Sequence, residues 1–388
     1  MEGRRTDILL ERGPELRRIQ EAIGHAGTGA GGLVVIGGPA GIGKTALLQA
    51  AADMAERAGV RVLRARGSDL EQEFGFGVVR QLFEAPLARA GPEGRAALLQ
   101  GAAALARQLF EPGPAEPEGT GDGPRSRPDT GARIGSPATR GAPTGRGTSA
   151  GRVPQVPADR RFTLVHSLYR LTTNISATGP VALVVDDCHW ADPPSLRFLA
   201  YVSARCDELG VLVIVTVRDG EPSTVQELLV ALRADPHAIL IEPASLSPNA
   251  VATLVRSALG AHADADFCAA CARASAGNPF LVRELIAELE TEQVEPVASS
   301  AARVESVRPD SVSRAVVARL NRLGADSRNL ARSVAVLESA SLRQAGSLAG
   351  IPGARARQAA DRLISAQILA PSASLSFVHP LMQSAVYE

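Results

Sequence analysis

Apolar positions along the chain follow two rhythms. Short apolar-rich runs at Leu33–Ile36, Val60–Leu63, Val181–Val185, Val211–Val217 and Ala238–Ile241 predict strands. Between them, apolar positions recur with helical spacing. Leu47, Ala50, Ala51 and Met54 share one face of a helix that ends near Gly59, and Phe162, Val165 and Tyr169 share another. Further helices are expected over Ser195–Cys206 and Val225–Arg233, with a mixed helical stretch up to about Phe110. The four helix-linked strands read as parallel and buried on both faces, because their runs are continuously apolar. From Ser247 onward the pattern is almost all helical, with Val312, Val316, Leu320 and Leu323 marking one amphipathic helix. Short strands near Ile368–Leu369 and Leu375–Val378 predict a small hairpin or wing.

One segment breaks both rhythms. Residues 111–158 hold 9 Pro and 10 Gly in 48 positions, with few large apolar side chains. Such a segment cannot bury enough surface to offset its ordering entropy. It reads as a disordered insertion within one domain, because strand–helix alternation resumes unchanged after it.

Composition narrows the class. The length of 388 residues suits two or three domains, and 45% apolar residues suffice for a sizeable core. Basic and acidic residues number 41 each, so attraction of nucleic acid by bulk positive charge is excluded. No run approaches the ~20 apolar residues that span a bilayer, and Met1–Arg18 has no apolar signal core. A cytoplasmic protein without membrane contact is expected. Four Cys are too few for a disulfide scaffold, and the Cys268/Cys271 pair reads as small buried helix residues. Lys44 is the single Lys, leaving 40 of the 41 basic residues as Arg. A compact ammonium is not interchangeable with a planar guanidinium at a tight phosphate site, which singles Lys44 out.

The chemistry gathers around that lysine. Gly38, Pro39, Ala40, Gly41, Ile42, Gly43, Lys44 and Thr45 fit G-x-x-x-x-G-K-[ST], with a strand before and a helix after. Glycines let backbone N–H groups turn toward phosphate oxygens, and the helix N-terminus adds a positive dipole end. Lys44 is then expected to reach the β- and γ-phosphates of ATP, and the Thr45 hydroxyl to ligate Mg²⁺. The strand Val181–Val185 ends in Asp186 and Asp187, at the sheet edge where open α/β folds bind ligands. Asp186 is expected to hold Mg²⁺ with Thr45, and Asp187 to polarise the attacking water as a general base. Arg218 follows Thr216 at the end of another strand, where it can lie near the γ-phosphate.

The run Asp186-Asp187-Cys188-His189-Trp190-Ala191-Asp192-Pro193-Pro194-Ser195-Leu196 resembles the Walker B signature of STAND-class, AAA-related ATPases. It is most similar to the ATPase modules of large ATP-binding LuxR-type transcriptional regulators. Glu11-Arg12-Gly13-Pro14-Glu15-Leu16 resembles the G-R-E-x-E-L of that family, Gly277-Asn278-Pro279-Phe280 its lid motif, and Phe377-Val378-His379-Pro380-Leu381 the end of its winged helix. The resemblance implies a P-loop parallel sheet flanked by helices over 1–110 and 159–242, a helical lid over 243–300 and a winged-helix-like domain over 301–388. It implies that Arg12 and Pro279 lie near the adenine and that His379 senses the nucleotide. It also implies a slow, ATP/ADP-gated switch in transcriptional regulation, acting on a protein partner or by self-association. The repeats and the DNA-reading helix-turn-helix of the family are not evident in this chain. A ring-forming AAA-type remodeller or loader, and an ATP-binding scaffold with little turnover, stand as alternatives.

Overall fold

The computed structural model describes residues 9–68, 72, 74–111, 158–207, 209–219, 225–307, 310–366, 368–370 and 374–387. The expected disordered insertion lies outside them, apart from Glu111 and Ala158 at its ends.

The first half alternates helices and strands: α1 (Gly13–Gly27), β1 (Gly32–Gly38), α2 (Lys44–Arg57), β2 (Arg61–Arg66), α3 (Gly77–Arg89), α4 (Gly91–Leu98) and α5 (Arg107–Phe110). Then come α6 (Ala158–Ser176), β3 (Val181–Asp186), α7 (Pro193–Ser203), β4 (Val211–Arg218), α8 (Gln226–Arg233) and β5 (Ala238–Ile241). The five strands form one parallel sheet in the order β2-β3-β4-β1-β5. Successive side chains point to opposite faces, so each apolar strand feeds two cores. Leu33, Val35, Leu183, Val185, Val213 and Val215 enter one core with α3, α6 and α7. Val34, Ile36, Ala182, Val184, Leu212 and Ile214 enter the other with α1 and α2.

Burial on both faces holds for β1, β3 and β4. It fails for the two edge strands: in β2 Arg61, Arg64 and Arg66 are exposed, and in β5 Ala238 and Ile239 are half-buried and Leu240 is exposed. On α6 the buried face is Val165, Leu168, Leu171 and Ile175, while Phe162 sits outside at 62% exposure with its ring edge against Tyr201.

The second half is helical: α9 (Pro248–Leu259), α10 (Ala265–Ser275), α11 (Pro279–Thr291), α12 (Ala301–Ser306), α13 (Asp310–Leu323), α14 (Ala325–Leu337), α15 (Leu342–Leu348), α16 (Gly353–Ser365) and α17 (Pro380–Tyr387). Its buried apolar residues, from Leu246 to Val386, belong to one hydrophobic cluster that runs through residue 300, the boundary expected between lid and winged helix. Cys268 and Cys271 lie inside this core, where burial pushes the Cys271 thiol up to about 12. The expected C-terminal strands are reduced, among the described residues, to single antiparallel bridges, Leu369 with Phe377 and Leu375 with Ala340. Segments this short make too few ladder bonds to form a sheet of their own. No helix among the described residues is long and apolar enough to cross a membrane.

His379 is buried just before α17, and burial pushes its imidazole down to about 4. The folded state therefore holds it neutral, whereas the unfolded chain protonates it near the ordinary value of 6.5. Between these values the unfolded state binds more protons, so stability falls as pH drops from about 6.5 to about 4. Urea midpoints measured across this window should slope less steeply in His379→Asn than in the wild type. Equal slopes would contradict the burial.

Candidate functional site

The turn between β1 and α2 is built by its glycines. Gly38, Gly41 and Gly43 have φ of 140°, 78° and 99°, values that residues with a Cβ rarely adopt. Gly41 is further constrained by space, since a Cβ there would lie 2.6 Å from Asn278 Oδ1 and 2.8 Å from Phe280 Cβ.

The loop carbonyls have named partners. Ala40 O accepts from Asn278 Nδ2 at 3.0 Å, Gly41 O from the Phe280 amide at 3.1 Å, and Ile42 O from Arg12 Nη2 at 3.3 Å. In a planar trans peptide the next N–H points opposite to the carbonyl. The amides of Gly41, Ile42 and Gly43 are thereby turned to the other side of the loop, as a row of donors beside the N-terminus of α2. Lys44 Nζ donates to the carbonyls of Gly38 at 2.8 Å and Pro39 at 2.7 Å, which places its ammonium over the first half of the turn. Burial, and next the Arg218 guanidinium, push Lys44 down to about 8.

Strand order brings the acids to this lysine. β4 lies between β1 and β3, with Ile36 beside Thr216 and Gly38 beside Arg218. Asp186, at the end of β3, accepts from Thr45 Oγ1 at 3.0 Å, from Thr216 Oγ1 at 2.6 Å and from the Asp187 amide at 3.0 Å. A fixed carboxylate beside a hydroxyl is a hard-oxygen donor pair, and it fits Mg²⁺, which binds through one or two carboxylates, phosphates and water. No group of three or more His, Cys, Asp or Glu among the described residues forms an all-protein metal cage.

Asp187 sits in the left-handed region at φ 49°. Its Oδ2 takes the Arg66 guanidinium at 2.8 Å from Nη2 and 3.1 Å from Nε. Arg66 ends the edge strand β2, in register with Asp186, and is 70% exposed. Beyond Asp187, a short 3-10 turn at Cys188–Trp190 leads to Asp192, which caps α7 by accepting from Ser195 N at 2.9 Å. Pro193 and Pro194 occupy the first helical positions, where a missing N–H costs nothing. Asp192 also accepts from the Phe76 amide at 2.7 Å, tying this loop to α3.

The other expected site residues fall as follows. Arg12 is buried and holds both Ile42 O and Ala244 O (2.7 Å), so it braces the loop from outside. Pro279 begins α11 directly after its cap, Asn278. Gly277, at φ 70°, lies so close to Leu246 O that a Cβ could not fit. A cavity of about 360 Å³ lies over Ala40 and Gly41, walled by Arg218, Phe280, Val316, Arg319 and Met382. The C-terminal segment enters its lining with Ile368 and Met382; His379 is not among the lining residues. A second cavity, of about 540 Å³, is lined by Arg66, Asp187, Trp190, Arg218 and Arg322. Asn278, Arg66 and Thr216 carry no signature in isolation. The spacing of Asn278 before a helix-starting Pro is an N-cap signal, which gives no hint of its second bond to Ala40.

Residues 8–215 match the family of AAA ATPase domains. The chain belongs to the AAA ATPase domain family. Membership makes it an ATP-binding ATPase domain protein. This AAA ATPase shares its fold with the Walker-type ATPase PABY2304 of Pyrococcus abyssi, at 12% identity and a TM-score of 0.55, over 98% of this chain and 96% of that chain. It is also similar to the ORC2 protein of Aeropyrum pernix, solved as ADPNP–ADP complexes, at 12% identity and a TM-score of 0.49, over 97% and 93%. The ORC1 protein of the same organism, solved in complex with DNA, gives 16% identity and a TM-score of 0.44, over 98% and 93%. At 12% identity the likeness to PABY2304 is one of fold alone. No curated protein matches the sequence.

Asn278→Ala removes both the cap of α11 and the bond to Ala40 O. The cap alone is worth about 1 kcal/mol. ATP affinity should fall together with the thermal midpoint, because the loop loses one of its outer supports. Calorimetry and nucleotide titration on the same samples check this, and an unchanged ATP affinity would contradict the bracing.

Proposed function

We propose that this AAA ATPase is a Mg-ATP-dependent switch that hydrolyses its nucleotide slowly and serves in transcriptional regulation. The observation that carries the reading is the convergence of Lys44, Thr45 and Asp186 at one end of the sheet, on a loop hydrogen-bonded to the helical half. Lys44 would neutralise charge on the β- and γ-phosphates, and the amides of Gly41–Gly43 would donate to phosphate oxygens. Thr45 and Asp186 would hold Mg²⁺, which when bound spreads the phosphate charge. Asp187 would orient the attacking water and accept its proton, with Arg218 near the departing phosphate.

Slow turnover is supported by the Arg66–Asp187 pair, in which two guanidinium hydrogen bonds occupy the Asp187 Oδ2 that would otherwise be open to a water. The pair is worth little in itself, because Arg66 is mostly exposed, so a small rearrangement releases it. Gating is supported by the hydrogen bonds from Asn278 and Phe280 to the loop, through which occupancy of the cradle can bias the helical half. The transcriptional setting rests on the resemblance of residues 186–196 to LuxR-type regulators.

Three variants test this by ATP titration and steady-state turnover. Lys44→Ala should abolish tight ATP binding. Asp187→Asn should retain Mg-ATP and turn it over roughly 10²- to 10⁴-fold more slowly, the usual contribution of a general base. Arg66→Ala should turn over faster than the wild type. Wild-type ATP affinity in Lys44→Ala would end the nucleotide assignment; unaltered turnover in Asp187→Asn would end the role given to that carboxylate.

A further inference from the structure

At the end of the sheet away from the phosphate loop lies a cavity of about 720 Å³, bounded by the start of β2, the last turns of α3 and α6, and α4. We propose that this cavity, separate from the nucleotide cradle, is a binding site for a small amphipathic organic anion: an acyl or aryl body with one anionic head held by Arg61 and Arg89.

Two of the walls are single helix faces. α3 supplies Pro86, Arg89 and Ala90, and α4 supplies Gly94, Ala97 and Leu98, in each case at i, i+3 and i+4. Gly94 and Ala97 leave open the room that larger side chains would fill. None of the eight residues of α4 is fully buried. A helix this short depends on packing for its stability, so the face it turns to the cavity calls for an apolar cover. Leu63 and Ile175 continue the apolar lining. Asn174, on α6, donates Nδ2 to Leu98 O at 2.9 Å and fixes the end of α4 over the space. The volume falls in the range of pockets that take drug-sized ligands.

Charge selects the ligand. Arg61 and Arg89 line the cavity, and no Asp or Glu does. Neither guanidinium has a hydrogen-bond or ion-pair partner among the described residues. The other large cavities differ in this respect. In the one of about 740 Å³ Arg233 is paired with Asp219, and in the one of about 540 Å³ Arg66 is paired with Asp187. Two planar forks can share one carboxylate, phosphate or sulfonate head. Both arginines are exposed, so the head stays at the wet rim while the body covers Leu63, Leu98 and Ile175. A cation would meet two like charges there, and a neutral apolar molecule would leave both guanidinium groups without a partner.

Anilinonaphthalene sulfonate, an aryl sulfonate whose fluorescence rises in apolar surroundings, tests this on the full chain with Mg-ATP present. The probe should bind saturably, and octanoate should displace it about tenfold more readily than octanol, which has the same body without the charge. The double variant Arg61→Gln/Arg89→Gln should weaken the probe by about tenfold or more, and Arg61→Lys/Arg89→Lys should restore part of the loss. Ala97→Trp, which fills part of the cavity from an exposed place on α4, should weaken the probe with both arginines intact. Melting temperatures should stay at the wild-type value in the arginine variants, because both side chains are exposed and unpaired among the described residues. Probe affinity equal to the wild type in Arg61→Gln/Arg89→Gln overturns the proposal, because the probe is then held elsewhere. So does displacement by octanol as readily as by octanoate, which marks an apolar patch without selection for charge, and so does the lack of any saturable binding.

Discussion

A tight loop that turns its amides toward a ligand must send its carbonyls the other way, and those carbonyls need donors. Here Ala40, Gly41 and Ile42 find them in Asn278, Phe280 and Arg12. None of the three donors belongs to the sheet or to α2. Two come from the start of α11 and one from the residue that precedes α1. The shape of the phosphate cradle is therefore conditional on the helical half being in place. Gly41 follows from the same constraint, since the approach of Asn278 and Phe280 leaves no room for a Cβ.

The second constraint is strand order. Because β4 lies between β1 and β3, Thr216 can bond Asp186 from one side while Thr45 bonds it from the other. Arg218 ends the same β4, beside Gly38 at the start of the loop. The edge position of β2 puts Arg66 beside Asp187 and leaves it mostly exposed. Thr216, Asp186, Lys44 and Thr45 thus sit on central strands and a helix start, and the Arg66 partner of Asp187 sits at the sheet edge.

Much of this was legible in the sequence. The strand–helix alternation, the glycine-rich turn and the strand ending in Asp186 and Asp187 are local patterns, and the sheet places them together as such patterns require. What escaped depends on contacts across long separations. Arg66 lies 121 residues from Asp187 and becomes its partner only once β2 pairs with β3. Asn278 lies 238 residues from Ala40, and its cap signal describes only half of what it does. At the C-terminus the spacing suggests a hairpin, and its two short segments do pair antiparallel through Leu369 and Phe377, while Leu375 bridges to Ala340, a partner the local pattern does not indicate. Pattern reports what a residue does for its own element, and these residues act on other elements.

The coupling of cradle to helical half is tested most directly by amide hydrogen exchange, resolved at Gly41–Thr45 and at Phe280, with and without Mg-ATP. If one opening exposes both, ATP should slow exchange at the loop and at Phe280 by the same factor, which grows with nucleotide concentration as mass action requires. Protection of the loop amides with no change at Phe280 would contradict the account.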